Sequence, residues 1–235
     1  MNTGIHQTND GHATTLHSPT SSSSKDVLFP GLAADARVFS GVEYRTDAFV
    51  TVDYHQIDFT QPLDAALEDL IRRFRITSAD RLIATSFGGI LAARVAKVLK
   101  SEKLHLVGAV VNPEEIGSIR GLFLRTRLYR AIGLGSLPKW LVKSIFGIRT
   151  QECAQVFFAM FASYDTSKIN EMLGFLASSP NLHFRWASRV HGARDLVVPK
   201  PRTPCVMMHA GHIVSMRENG QTDGLAAFNA RLGSI

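Results

Sequence analysis

Past residue 25 the apolar positions follow two rhythms that take turns. Compact apolar runs stop at turn residues, and between them apolar residues recur three and four positions apart. "DVLFPG" (Asp26 to Gly31) is a run ended by Pro30-Gly31, which predicts a strand entering a loop. "AFVTVDY" (Ala48 to Tyr54), rich in β-branched and aromatic residues, predicts a second strand. Behind Pro62, which a first helical turn tolerates, Leu63, Ala66, Leu67, Leu70, Ile71 and Phe74 form one helical stripe. On its outer face Glu68 can pair with Arg72 and Asp69 with Arg73. "RLIATSFGGILAARVA" (Arg81 to Ala96) opens as a strand at Leu82-Ile83-Ala84. It closes as a helix with Leu91, Val95 and Val98 on one face. "LHLVGAVVN" (Leu104 to Asn112) is a further buried strand.

Strands alternating with helices imply parallel pairing through right-handed crossovers. Ligands bind beyond the carboxyl ends of the strands in such a sheet, which lines up Gly31, Ser86 and Asn112 on one rim. The alternation stops between Pro113 and about Ser179, where helical segments such as "LPKWLVKSIFG", "AQVFFAMFASY" and "SKINEMLGFLAS" follow one another. It resumes with "LHFRWASRVHG" and "PCVMMHAGH", and the chain ends in a weak helix, "GLAAFNARL". The predicted architecture is α/β: a mainly parallel sheet of about six strands flanked by helices. Its core lies in residues 26–112 and 180–235, with a helical block, 113–179, inserted between them.

Residues 1–25 share neither rhythm. They are polar and Ser/Thr-rich, which predicts a flexible tail, and they lack the apolar core of a secretory signal. His6, His12 and His17 have no cysteine or carboxylate spacing that would make a metal site of them. The 235 residues are 45% hydrophobic and 20% charged, which suits a soluble globular protein. The formal charge of +6 is too mild to imply a nucleic-acid partner. Cys153 and Cys205, the two cysteines, make neither a disulfide framework nor a zinc spacing, so a reducing cytoplasm is the expected compartment. No apolar segment has the length to span a bilayer.

Chemistry concentrates at Ser86. A serine hydroxyl is a poor nucleophile unless a base takes its proton. A tight strand-to-helix turn would expose it above the sheet, and the close approach of strand and helix needs small neighbours, here Ala84, Gly88 and Gly89. The same pattern also arises when a serine merely caps a helix, or when glycines cradle a phosphate; the absence of a following lysine argues against a P-loop. Three other stretches bear on the choice. "FPGLAADARVF" could turn the Leu32 amide to the rim, where it and the Phe87 amide could hold an oxyanion. "HGARDLVVP" offers Asp195 after a late strand, and "HAGH" offers His212 after the last one.

Together "LFPGLAAD", "ATSFGG", "HGARDLVVP" and "HAGH" resemble the α/β-hydrolase superfamily, over about Asp26 to Leu232. The resemblance implies Ser86 as nucleophile, His212 as general base and then acid, and Asp195 as the residue orienting His212. It implies a helical cap in residues 113–179 and no metal or organic cofactor. The expected activity is hydrolysis of a small-molecule ester or thioester with an apolar acyl group, in a carboxylesterase- or thioesterase-like enzyme. A hydrolase fold without activity that binds a hydrophobic ligand or a partner is the alternative. The sequence departs from the family's usual pattern at Ala84, where glycine is common, and at Pro30, where histidine is common. It also lacks the family's first two strands and separates acid from base by an unusually short stretch.

Leu122, Phe123, Trp140, Phe157, Phe158 and Phe161 are expected to roof the serine, with Trp140, Phe157 and Phe158 contacting substrate. The four arginines and two lysines between Pro113 and Gly147 read as a solvated outer face in preference to a lipid-binding one. His191 is expected in the acid loop as a hydrogen-bonded residue, His209 in a strand, Met207 and Met208 in the core. Asp35 and Asp53 are expected to fix turns.

Overall fold

The computed structural model describes residues 24–42, 49–116, 138–201, 203–216 and 229–230. Six strands form one sheet: β1 (Asp26–Phe29), β2 (Phe49–Thr51), β3 (Arg81–Thr85), β4 (Leu104–Val107), β5 (Ser188–Gly192) and β6 (Val206–Met208). Their order is β2-β1-β3-β4-β5-β6, and every neighbouring pair is parallel. Helices α1 (Leu63–Arg73) and α2 (Gly88–Leu99) make the early crossovers, and α3 (Lys139–Phe146), α4 (Gln151–Ala162) and α5 (Thr166–Ser178) lie between β4 and β5.

Alternation along each strand builds two cores, one on each face of the sheet. Val27, Phe29, Leu82, Ala84, Leu104 and Leu106 face α1, α2 and α5. Leu28, Ile83, Val107, Val190 and Met208 face α4 and the short turn Ala36–Phe39. The buried residues of α4 and α5 thus join the two sheet cores.

Most polar groups of β5 find partners; among the described residues only Arg189 Nε and His191 Nδ1, both buried, have none in this strand. Ser188 Oγ lies 2.8 Å from His105 Nδ1 on β4. Arg189 pairs with Glu115 at 2.6 Å, donates to the Ala109 carbonyl and stacks 5.2 Å from the Trp186 ring. At the start of β1 and β3, Asp26 and Arg81 form a buried bidentate pair.

Several boundaries differ from the sequence reading. The fifth strand begins at Ser188, not Leu182. Its partner β4 starts at Leu104, so earlier residues have no ladder to join, although Leu182, Phe184 and Trp186 still pack inward. Lys25, assigned to the tail by composition, is anchored: its amide donates to Asp80 and its Nζ to the Phe74 and Arg75 carbonyls. Val98 and Met207 are exposed, because each faces away from the packed layer of its element. Asp69 pairs with both Arg72 and Arg73. Residues 1–23 of the tail, Leu122, Phe123, the cap arginines and most of the C-terminal helical stretch lie outside the described residues.

Candidate active site

Ser86 follows the last residue of β3 and precedes α2 by two positions. Its φ of 48° is left-handed, a conformation a non-glycine residue holds only when its surroundings fix it. They do: the Ser86 amide donates to the Gly108 carbonyl, and its own carbonyl accepts from Gly89 and Val110. Gly88 lies against β1 so closely that a Cβ there would sit 2.1 Å from the Phe29 carbonyl oxygen. The turn leaves the hydroxyl half-exposed above the carboxyl ends of the strands.

The hydroxyl does not cap α2, whose first turn receives no side-chain hydrogen bond. It lies instead 2.8 Å from His212 Nε2. His212 Nδ1 lies 2.8 Å from Asp195 Oδ2. The other Asp195 oxygen accepts from the Val197 and Val198 amides at 2.7 and 2.8 Å, and the side chain has no solvent exposure. Burial alone would raise the Asp195 carboxyl, but His212 and the two amides outweigh it and hold it below the usual carboxylate range. Of the other carboxylates, Asp35 pairs with Arg37 and caps its turn, and Glu114 bonds Asn181. Asp53 caps the turn at His55.

The loop after β1 crosses directly over Ser86. A Cβ on Gly31 would lie 3.1 Å from Ser86 Cβ. Tyr54 fastens this loop by donating to the Pro30 carbonyl at 2.8 Å. Among the described residues neither the Leu32 amide nor the Phe87 amide has an internal acceptor. The Phe87 ring itself is buried, edge-on to Tyr54 and Phe59.

Ser86 and His212 open into a cavity of about 450 Å³. Phe146, Phe157, Phe158 and Phe161 wall it, with Val142 and Ile213, and Leu32 is at its edge. Trp140 does not line this cavity and is 71% exposed. The reason is helical phase. Lys139, Val142 and Phe146 share the face of α3 turned to the cavity, and Trp140 is two residues, about 200°, from Val142. The sequence reading missed Phe146 and Val142, although their four-residue spacing marks one face. A larger cleft, about 660 Å³, lies between Phe59–Leu63 and α5, and none of Ser86, His212 and Asp195 lines it.

His191 is in β5, not in the loop. Its Nε2 lies 3.2 Å from the Val198 carbonyl, 3.8 Å from Asp195 Oδ2, and burial pushes its pKa down. His209 is exposed just beyond β6. Among the described residues no three His, Cys, Asp or Glu side chains cluster as metal ligands, and no helix is long and apolar enough to cross a membrane.

No family model matches this sequence, and no curated protein does. Solved structures do. An enol-lactonase from Burkholderia xenovorans superposes with a TM-score of 0.61 at 15% identity, over 90% of each chain. An esterase from Exiguobacterium antarcticum gives 0.58 at 16%, over 90% of this chain and 91% of its own. An α/β-hydrolase fold protein from Burkholderia ambifaria gives 0.55 at 14%, over 90% of both. The chain therefore has the α/β-hydrolase fold.

Proposed function

We propose that this protein is a serine hydrolase that cleaves an ester or thioester with an apolar acyl group through an acyl-enzyme at Ser86. The observation that carries the reading is the pair of 2.8 Å contacts linking Ser86 Oγ to His212 and His212 to Asp195 inside a mainly apolar cavity.

The steps follow from the geometry. Ser86 Oγ attacks the carbonyl carbon as His212 Nε2 takes its proton. Asp195, ionised and dry, keeps the Nδ1 proton in place and stabilises the imidazolium. The Leu32 and Phe87 amides receive the negative oxygen, because both are free to donate. His212 then protonates the leaving alcohol or thiol as the carbon–oxygen or carbon–sulfur bond breaks. Water then attacks the acyl carbon as His212 takes one of its protons, and the acid leaves as the carbon–Oγ bond breaks and His212 returns that proton to Ser86 Oγ. Phe157 and Phe158 hold the acyl chain. The likeness to an esterase and an enol-lactonase supports acyl chemistry on a small molecule.

The test is steady-state hydrolysis of p-nitrophenyl esters from acetate to dodecanoate. Turnover that rises with chain length and then falls as the cavity fills supports the reading. A folded protein that binds these esters and turns over none of them is the inactive binding protein of the alternative.

A further inference from the structure

The base of the proposed reaction is held by a helix of the inserted block. His212 lies beyond the end of β6, so the sheet ladder does not fix it. Its amide donates to the carbonyl of Phe146, the last residue of α3, at 3.1 Å. The Phe146 ring stands edge-on to the imidazole, centroids 5.5 Å apart at 67°, and walls the cavity as well. After Phe146 the helix ends at Gly147, with φ 68°. This turn packs backbone against backbone on Gly211, the residue before His212. A Cβ on Gly147 would lie 2.6 Å from the Gly211 Cα. A Cβ on Gly211 would lie 2.6 Å from the Gly147 Cα and 2.9 Å from the Phe146 oxygen.

We infer that Phe146 and Gly147 are positioning residues for His212, so that the helix walling the acyl cavity also aligns the general base. The inference rests on the hydrolase reading above. The geometry makes the base sensitive to this contact. The Nε2 to Oγ distance depends on where the His212 backbone sits, and a displacement of about 1 Å at a reacting group can cost roughly a hundredfold in rate. Helix α3 has no buried residue of its own. Its place is set by the Gly147–Gly211 contact, the His212 amide, the packing of Val142 and Phe146 on the sheet core, where the Phe146 and Phe157 rings are 4.8 Å apart, and whatever fills the cavity beside them. An acyl chain in the cavity therefore steadies the helix that steadies the base.

The test is Gly147→Ala in the full chain, with melting temperature, kcat and KM for a p-nitrophenyl ester, and fluorophosphonate labelling of Ser86. The expected result is a kcat and a labelling rate lowered at least about tenfold, with KM within about threefold and the protein folded. A merely structural role would lower the melting temperature and leave kcat within twofold, and that result overturns the inference. If the variant does not fold, amide hydrogen exchange of the unaltered protein decides. The His212 amide is expected to exchange at least about tenfold more slowly than that of Ile213, which has no such acceptor among the described residues. Equal rates overturn the inference. Failure of the hydrolase reading is distinct: the unaltered protein would then neither turn over esters nor be labelled at Ser86.

Discussion

The Asp195 carboxylate meets His212 Nδ1 at 2.8 Å across only 17 positions of chain. Among the described residues no helix separates them; the connection includes the acid loop, the three residues of β6 and the segment that follows. The acid loop and that segment run side by side. Ala193 donates to the Met208 carbonyl at 2.7 Å and Arg194 to the Ala210 carbonyl at 3.0 Å. A short path suffices because the two loops are fastened to each other before their side chains meet.

Ser86, His212 and Asp195 are expected to act as a unit. Ser86→Ala or His212→Ala should each lower kcat by roughly 10⁴-fold or more, and the double variant should cost little beyond either. Asp195→Asn should cost on the order of 10⁴-fold, since an amide can favour the wrong His212 tautomer. Additive losses in a kinetic cycle would mean that the three do not share one step.

The apolar wall should set chain-length preference. Phe158 is only half-buried, so Phe158→Ala should widen the cavity and move the optimum of an ester series to longer chains, with the change mainly in KM. Phe157 is also part of a sheet core. Its truncation should in addition cost about 3 kcal/mol of stability, read by urea denaturation. An unchanged optimum in both variants would move the acyl chain elsewhere.

The elbow leaves no room at Gly88. The Cβ of Gly88→Ala would meet β1 backbone, which cannot swing away as a side chain does. The melting temperature should fall by roughly 5 °C or more. An unchanged value would show that β1 and α2 are further apart than described.

His105 makes stability depend on pH. It is fully buried, and burial, with Arg81 nearby, lowers its pKa to about 4 from 6.5, against the pull of Asp26. The unfolded chain therefore binds this proton more readily than the folded one. Stability is full above about pH 6.5 and is lost as pH falls towards 4, by about 3 kcal/mol. His105→Gln should flatten that fall when urea midpoints are compared at pH 7 and pH 4.5. Parallel losses in the two proteins would assign the acid sensitivity to other groups.

Much of this was legible in the sequence because local chemistry decides it. Pro30-Gly31 ends β1, Ser86-Phe87-Gly88 marks the strand-to-helix turn, and the alternation of strands and helices fixes the parallel sheet. What was hidden depends on neighbours distant in sequence. The first residue of β5 is set by where β4 begins. Ser188 and Arg189 look wrong for a central strand until His105 and Glu115 are seen beside them. The aromatic character of Trp140 says nothing of the phase of its helix, which turns Val142 and Phe146 to the cavity instead. The Phe146 carbonyl on His212 is a backbone contact, and no side-chain pattern announces it.

The central claim is that Ser86 is an activated nucleophile. A fluorophosphonate, incubated with the protein and followed by intact mass and peptide mapping, tests it most directly. Attack by Ser86 Oγ forms a phosphorus–oxygen bond, fluoride leaves, and His212 takes the proton. The expected result is one adduct, mapped to Ser86, absent from Ser86→Ala and slowed severely in His212→Ala. A folded protein with no adduct, or an equal adduct in Ser86→Ala, would contradict the account.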